Sequence, residues 1–110
     1  MHKWIHFGLL ITALMFSGQA TAQSVGADPA AGKQLALELC SGCHVVAEDQ
    51  VRPAIDVVPA FAVIANKQET TEFRIRVFLQ DTPHPVMPNF IFVDDEVENL
   101  IAYILSLRDR

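Results

Sequence analysis

Cys40-Ser41-Gly42-Cys43-His44 is the stretch on which the fold turns. Two thiols two residues apart, followed at once by an imidazole, form the C-x-x-C-H pattern of c-type haem attachment. Each thiol can add to one vinyl group of a single porphyrin. The next residue then falls under the ring, where His44 can ligate iron. Five residues thereby fix a cofactor, its orientation and one axial ligand. Other uses of a C-x-x-C fit less well. A thioredoxin-like pair wants a βαβ context, and the sequence offers none. A structural zinc site needs four ligands. Beyond the motif and the leader, His84 is the only other Cys or His, and its spacing is wrong for a zinc finger. A disulfide across two residues closes too small a loop to stabilise much.

Ahead of the motif, residues 1–22 read as a cleaved secretory signal peptide. Lys3, with His2 and His6, gives a short positive start. Phe7 to Phe16 is apolar but too short to span a bilayer. Ala20-Thr21-Ala22 supplies an A-x-A cleavage site. Cleavage there leaves Gln23 as the new terminus and one monohaem domain, residues 23–110. No Cys lies near the cut to carry a lipid. A twin-arginine pair is also missing, which favours export of an unfolded chain and cofactor attachment outside the cytoplasm. The expected location is a bacterial periplasm, with no membrane anchor after cleavage.

The 110-residue chain has a net charge of −5, and loss of Lys3 with the leader makes it −6. That balance argues against nucleic acid or an anionic membrane as partner. It argues equally against a lysine-ringed docking face. A domain this short buries a modest fraction of its surface and usually needs a staple. A covalently held haem would serve, because its flat apolar face adds core that the chain lacks.

Helical signals run through the rest. Asp28-Pro29-Ala30-Ala31 is a helix start, with Asp as N-cap and Pro at the first helical position. Ala31, Leu35 and Leu39 share a face, and the helix is expected to run into Cys40 and end around Gly42. Val45-Val46 reads as cover for the ring, and 48–55 as a surface loop. Pro59-Ala60-Phe61 opens a short helix reaching Ala65. Within 69–81, Phe73-Arg74-Ile75-Arg76-Val77 alternates like a strand. Phe73, Val77 and Gln80 also fit helical spacing, and with no partner strand in sight the segment is read as helix. Three prolines in Pro83-His84-Pro85-Val86-Met87-Pro88 stiffen the next loop. The last helix is the clearest: Asp94 as N-cap, acids in the first turn, and Val97, Leu100, Ile101, Ile104 and Leu105 on one stripe, running to Arg108.

Taken in order, Gly32-Lys33-Gln34-Leu35 leading to Cys40-Ser41-Gly42-Cys43-His44, then Pro83 to Asn89, then Leu100-Ile101-Ala102-Tyr103-Ile104-Leu105, resembles the class I c-type cytochromes over essentially the whole mature chain. The resemblance implies an all-α, cytochrome c-like fold of three to four short helices wrapped around one covalently attached haem c. It implies that the first and last helices cross, with Gly32 against an aromatic, Tyr103. It also implies that a proline carbonyl after the motif orients His44; Pro53 and Pro59 are both open. The four-helix-bundle c-type cytochromes carry their motif near the C-terminus, so the early position here speaks against them.

Met87 is the expected distal ligand. Met1 is the initiator and Met15 lies in the leader, so no other methionine is left. A thioether is a soft, neutral donor, and a His/Met pair raises the potential. His84 is the competitor, three residues away on the same stiff loop. Asn89 is open between bonding near the Met87 sulfur and capping the turn. Arg52, Lys67, Arg74 and Arg76 are candidate propionate partners that the sequence does not rank. The expected function is one-electron transfer with His44/Met87 ligation, not enzymatic turnover. The expected partners are redox proteins: a donor dehydrogenase, and an acceptor oxidase or another cytochrome. Two alternatives stand beside it: a haem-bearing subunit held by a periplasmic dehydrogenase, and a gas-binding or enzymatic haem protein if the Met ligand is labile. Val86, Pro88 and the apolar run Phe90-Ile91-Phe92-Val93 could serve either as contact surface or as core.

Overall fold

A computed structural model describes residues 26–50, 55–81 and 86–109. The leader, Gln23, Arg52, Pro53, the 82–85 segment with His84, and Arg110 lie outside the described residues. Within them the secondary structure is helical, with no strand: α1 Pro29–Leu39, α2 Phe61–Asn66, α3 Glu72–Asp81 and α4 Asp94–Ser106. This is the all-α architecture expected from the sequence.

The start of α1 follows its local chemistry. Asp28 accepts from the Ala30 amide at 2.8 Å, and Pro29 occupies the first turn, where its missing N–H costs nothing. The Asp28 amide in turn donates to Asn99 Oδ1 at 2.7 Å, so the cap also ties α1 to α4. The two helices cross at Gly32. A Cβ there would come within 2.8 Å of Tyr103 Cβ and closer still to the Asn99 carbonyl. Glycine is needed for this approach, since any side chain would push the helices apart. Here α1 stops at Leu39, short of Gly42, because residues 40–43 tighten into a turn.

Along α4, Val97, Leu100, Ile101, Tyr103 and Ile104 are buried. Leu100 and Val97, with Val46 from the loop after α1, are the largest fully buried side chains. Burying each stabilises by roughly 1.5–3 kcal/mol. Two boundaries differ from the sequence reading. The N-cap is Val93, not Asp94, which is already helical. Glu96 Oε2 accepts from the Val93 amide at 3.0 Å, while valine itself offers no oxygen to the first turn. The helix ends at Ser106, and residues 107–109 form a turn that closes with Asp109 at a φ of 57°.

That turn clamps α2. Arg108 donates to the Ala65 carbonyl at 3.0 Å and to the Thr70 carbonyl, and the Asp109 amide donates to Asn66 Oδ1 at 2.9 Å. Helix α3 confirms the helical reading of 69–81. Thr71 Oγ1 accepts from the Arg74 amide at 3.2 Å, as a capping residue would, and Ile75 is buried. Arg76 bridges Glu72 one turn back, at 3.1 Å, and Glu98 of α4, at 2.6 Å, fixing α3 against α4.

Candidate haem site

The motif sits in the turn that ends α1. The Cys43 and His44 amides both donate to the Cys40 carbonyl, at 3.1 and 2.9 Å, so five residues fold into one compact unit. Both cysteines are free thiols. Cys40 is buried and Cys43 is exposed. Burial, and secondarily the neighbouring Cys43, push the Cys40 thiol up to about 11, so it stays protonated at neutral pH. Ser41 Oγ donates to the Leu37 carbonyl and closes the last turn of α1.

His44 is held by its ring and by its main chain. Nδ1 lies 2.7 Å from the Pro59 carbonyl. A carbonyl can only accept, so Nδ1 carries a proton there and Nε2 is the nitrogen left for a metal. The choice that the sequence left between Pro53 and Pro59 falls to Pro59. Phe61 packs against the imidazole with ring centroids 5.4 Å apart. The Phe61 amide donates to the Val45 carbonyl at 2.9 Å, which brings the start of α2 onto the segment after His44.

On the main-chain side, Gln50 is the hub. Its Oε1 accepts from the Val46 amide at 2.8 Å. Its Nε2 donates to the His44 carbonyl at 3.1 Å and to the Ser41 carbonyl at 3.2 Å. The partners fix the orientation of this amide, because two carbonyls require the nitrogen and one N–H requires the oxygen. Beyond it, the Tyr103 hydroxyl donates to the Val46 carbonyl at 2.5 Å. Val46 itself is buried in the core and Val45 is exposed.

Met87 is half-buried and lines a separate cavity of about 290 Å³, between the end of α3 and the segment leading to α4, whose lining includes none of Cys40, Cys43 and His44. Phe78, Leu79, Phe90 and Phe92 supply its apolar lining, and Gln80, Asp81 and Asn89 its polar lining. Phe90 and Phe92 pack with ring centroids 5.7 Å apart. Of the candidate propionate partners, Arg76 is engaged by Glu72 and Glu98, whereas Lys67 and Arg74 are exposed.

This donor set fits haem c. Two free thiols could form the thioether bonds, and the His44 Nε2 and the Met87 thioether could ligate iron. Cys40, Cys43, His44 and Met87 are the residues that could hold it. The sequence reading missed Gln50, because a glutamine in a loop carries no periodicity or motif. It also missed the hydroxyl bond of Tyr103, whose ring position alone was expected.

The Cytochrome c family model matches residues 29–108 of this chain. Cytochrome c-552 of Bradyrhizobium diazoefficiens is 36% identical over 108 residues, covering 98% of this chain and 99% of that protein. No solved structure matches. A family match spanning all four helices, and a relative aligned nearly end to end, make the chain a member of the class I cytochromes c, an all-α electron-transfer protein with covalently bound haem c.

Proposed function

We propose that this protein is a periplasmic one-electron carrier, without an enzymatic activity of its own, whose haem c is held by Cys40 and Cys43 and ligated by His44 and Met87. The observation that carries the reading is the Nδ1 bond of His44 to the Pro59 carbonyl, which fixes the ring and leaves Nε2 as the nitrogen to ligate. When bound, the cofactor supplies a one-electron couple. The chain's residues supply the constant surroundings that such a couple needs. Pro59 and Phe61 hold the imidazole, and Gln50 holds the main chain behind it. Phe78, Leu79, Phe90 and Phe92 give the Met87 cavity its apolar surface. His44 and Met87 would both ligate the haem iron, which would then offer no open position to a substrate. Residues 1–22 are removed on export, leaving Gln23 as the terminus.

The test is the absorption spectrum of the reduced, periplasmically expressed protein before and after carbon monoxide, with intact mass. Low-spin c-type bands unmoved by carbon monoxide, and a mass for residues 23–110 plus one haem, are expected. Bands that shift with carbon monoxide would favour a gas binder or haem enzyme. Met87→Ala should lower the potential and open the protein to carbon monoxide. An unchanged potential and low-spin spectrum in that variant would reject Met87 as ligand.

A further inference from the structure

The segment between the Met87 cavity and α4 is two-faced. Residues 88–93 run without helix and alternate. Phe90 and Phe92 turn inward, while Ile91 is 98% exposed and Val93 is 63% exposed. Ile91 also lines the cavity that holds Met87, so the most exposed apolar side chain here shares a wall with the candidate ligand. Carboxylates border it on both sides. Asp94 and Asp95 open α4, and Asp81 lines the same cavity at the end of α3. Neither Lys nor Arg occurs between Arg76 and Arg108, and Arg76 is already bridged to Glu72 and Glu98.

Single exposed apolar residues are ordinary. A pair of them beside the Met87 cavity, framed by Asp81, Asp94 and Asp95, is a surface with a definite complement. We propose that this face docks a redox protein whose contact surface has an apolar centre and a rim of lysine or arginine. The proposal rests on the electron-carrier reading and names the partner class for it. Opposite charge steers the encounter, and contact at Ile91 and Val93 excludes water between the two proteins. A small acid-framed patch suits a weak, short-lived complex, as a carrier requires. Nucleic acid and anionic lipid are repelled by the same carboxylates, and so is a second copy of this net-negative chain.

The experiment uses the reduced holoprotein and two small oxidants of opposite charge, tris(1,10-phenanthroline)cobalt(III) and ferricyanide, by stopped flow at low and high salt. One electron passes from the protein to each oxidant, giving cobalt(II) or ferrocyanide. Oxidation by the cobalt complex should slow with added salt, and oxidation by ferricyanide should speed up. The double variant Asp94→Asn, Asp95→Asn should lose roughly threefold in the cobalt rate at low salt. A matched double, Glu38→Gln with Glu69→Gln, should keep the wild-type rate. Amide NMR shifts on titration with lysine-rich mitochondrial cytochrome c should centre on 86–95 and weaken in Ile91→Ser.

If the Asp94 and Asp95 changes have no more effect than the control pair, or the shifts centre elsewhere, the docking face is wrong and the carrier reading stands. If neither complex oxidises the reduced wild type, the carrier reading itself fails.

Discussion

Gln50 shows how much one side chain can decide. Its amide fills three hydrogen-bonding positions around the haem turn, on Ser41, His44 and Val46. Replacing it by alanine strands two carbonyls and one N–H in a partly buried loop. The expected loss is about 1–3 kcal/mol, read by denaturant unfolding of the holoprotein. Gln50→Glu is nearly the same shape and keeps the acceptor for Val46, but it sets carboxylate oxygen against both carbonyls. It should lose at least as much at neutral pH. A Gln50→Glu protein as stable as wild type would show that the two carbonyl bonds contribute nothing. The motif beside it was plain from sequence because attachment chemistry requires adjacent residues. Gln50 was not legible there, because its role exists only once the chain has curled back from 50 to 41.

Helix boundaries divide along the same line. The start of α1 was readable because Asp28 and Pro29 act through local bonds, and the stripe of α4 was readable because burial repeats with the helical turn. The strand-like run from Phe73 to Val77 is helix because Ile75 finds the core while Phe73 remains exposed, a tertiary outcome that alternation alone could not show. The start of α4 was misplaced by one residue. Asp94 has the chemistry of a cap, but Glu96 reaches back to the Val93 amide and moves the cap to Val93. Val93 has extended backbone angles, φ −80° and ψ 159°, that serine adopts freely. Val93→Ser should therefore add a side-chain acceptor and stabilise the protein by about 1 kcal/mol in thermal or denaturant unfolding. The same change removes apolar surface from the proposed docking face, so stability and partner contact should move in opposite directions.

At the scale of the molecule, acid stability follows from two surface ion pairs. The Arg76 guanidinium holds Glu98 below the ordinary glutamate range, and Lys33 does the same for Asp49. A carboxylate depressed in the folded state stabilises fully above its unfolded pKa, and the contribution fades as pH falls through the folded one. Stability should therefore begin to decline below about pH 4.5. Glu98→Gln should flatten part of that decline without altering its direction, as measured by thermal unfolding across pH 3 to 7. Added salt should shrink the difference between variant and wild type, because both pairs are solvent-exposed.

Tyr103 carries a last consequence. Its Cβ packs at the Gly32 crossing, and its hydroxyl holds the Val46 carbonyl two residues beyond His44. One side chain thus belongs at once to the contact of α1 with α4 and to the loop behind the imidazole. Freeing that loop means breaking the tyrosine bond, and displacing the tyrosine means parting the two helices. The loop therefore has no private opening: the bonded amides of His44 and Val46 belong to the last unit to exchange with solvent, released when the helix pair itself comes apart.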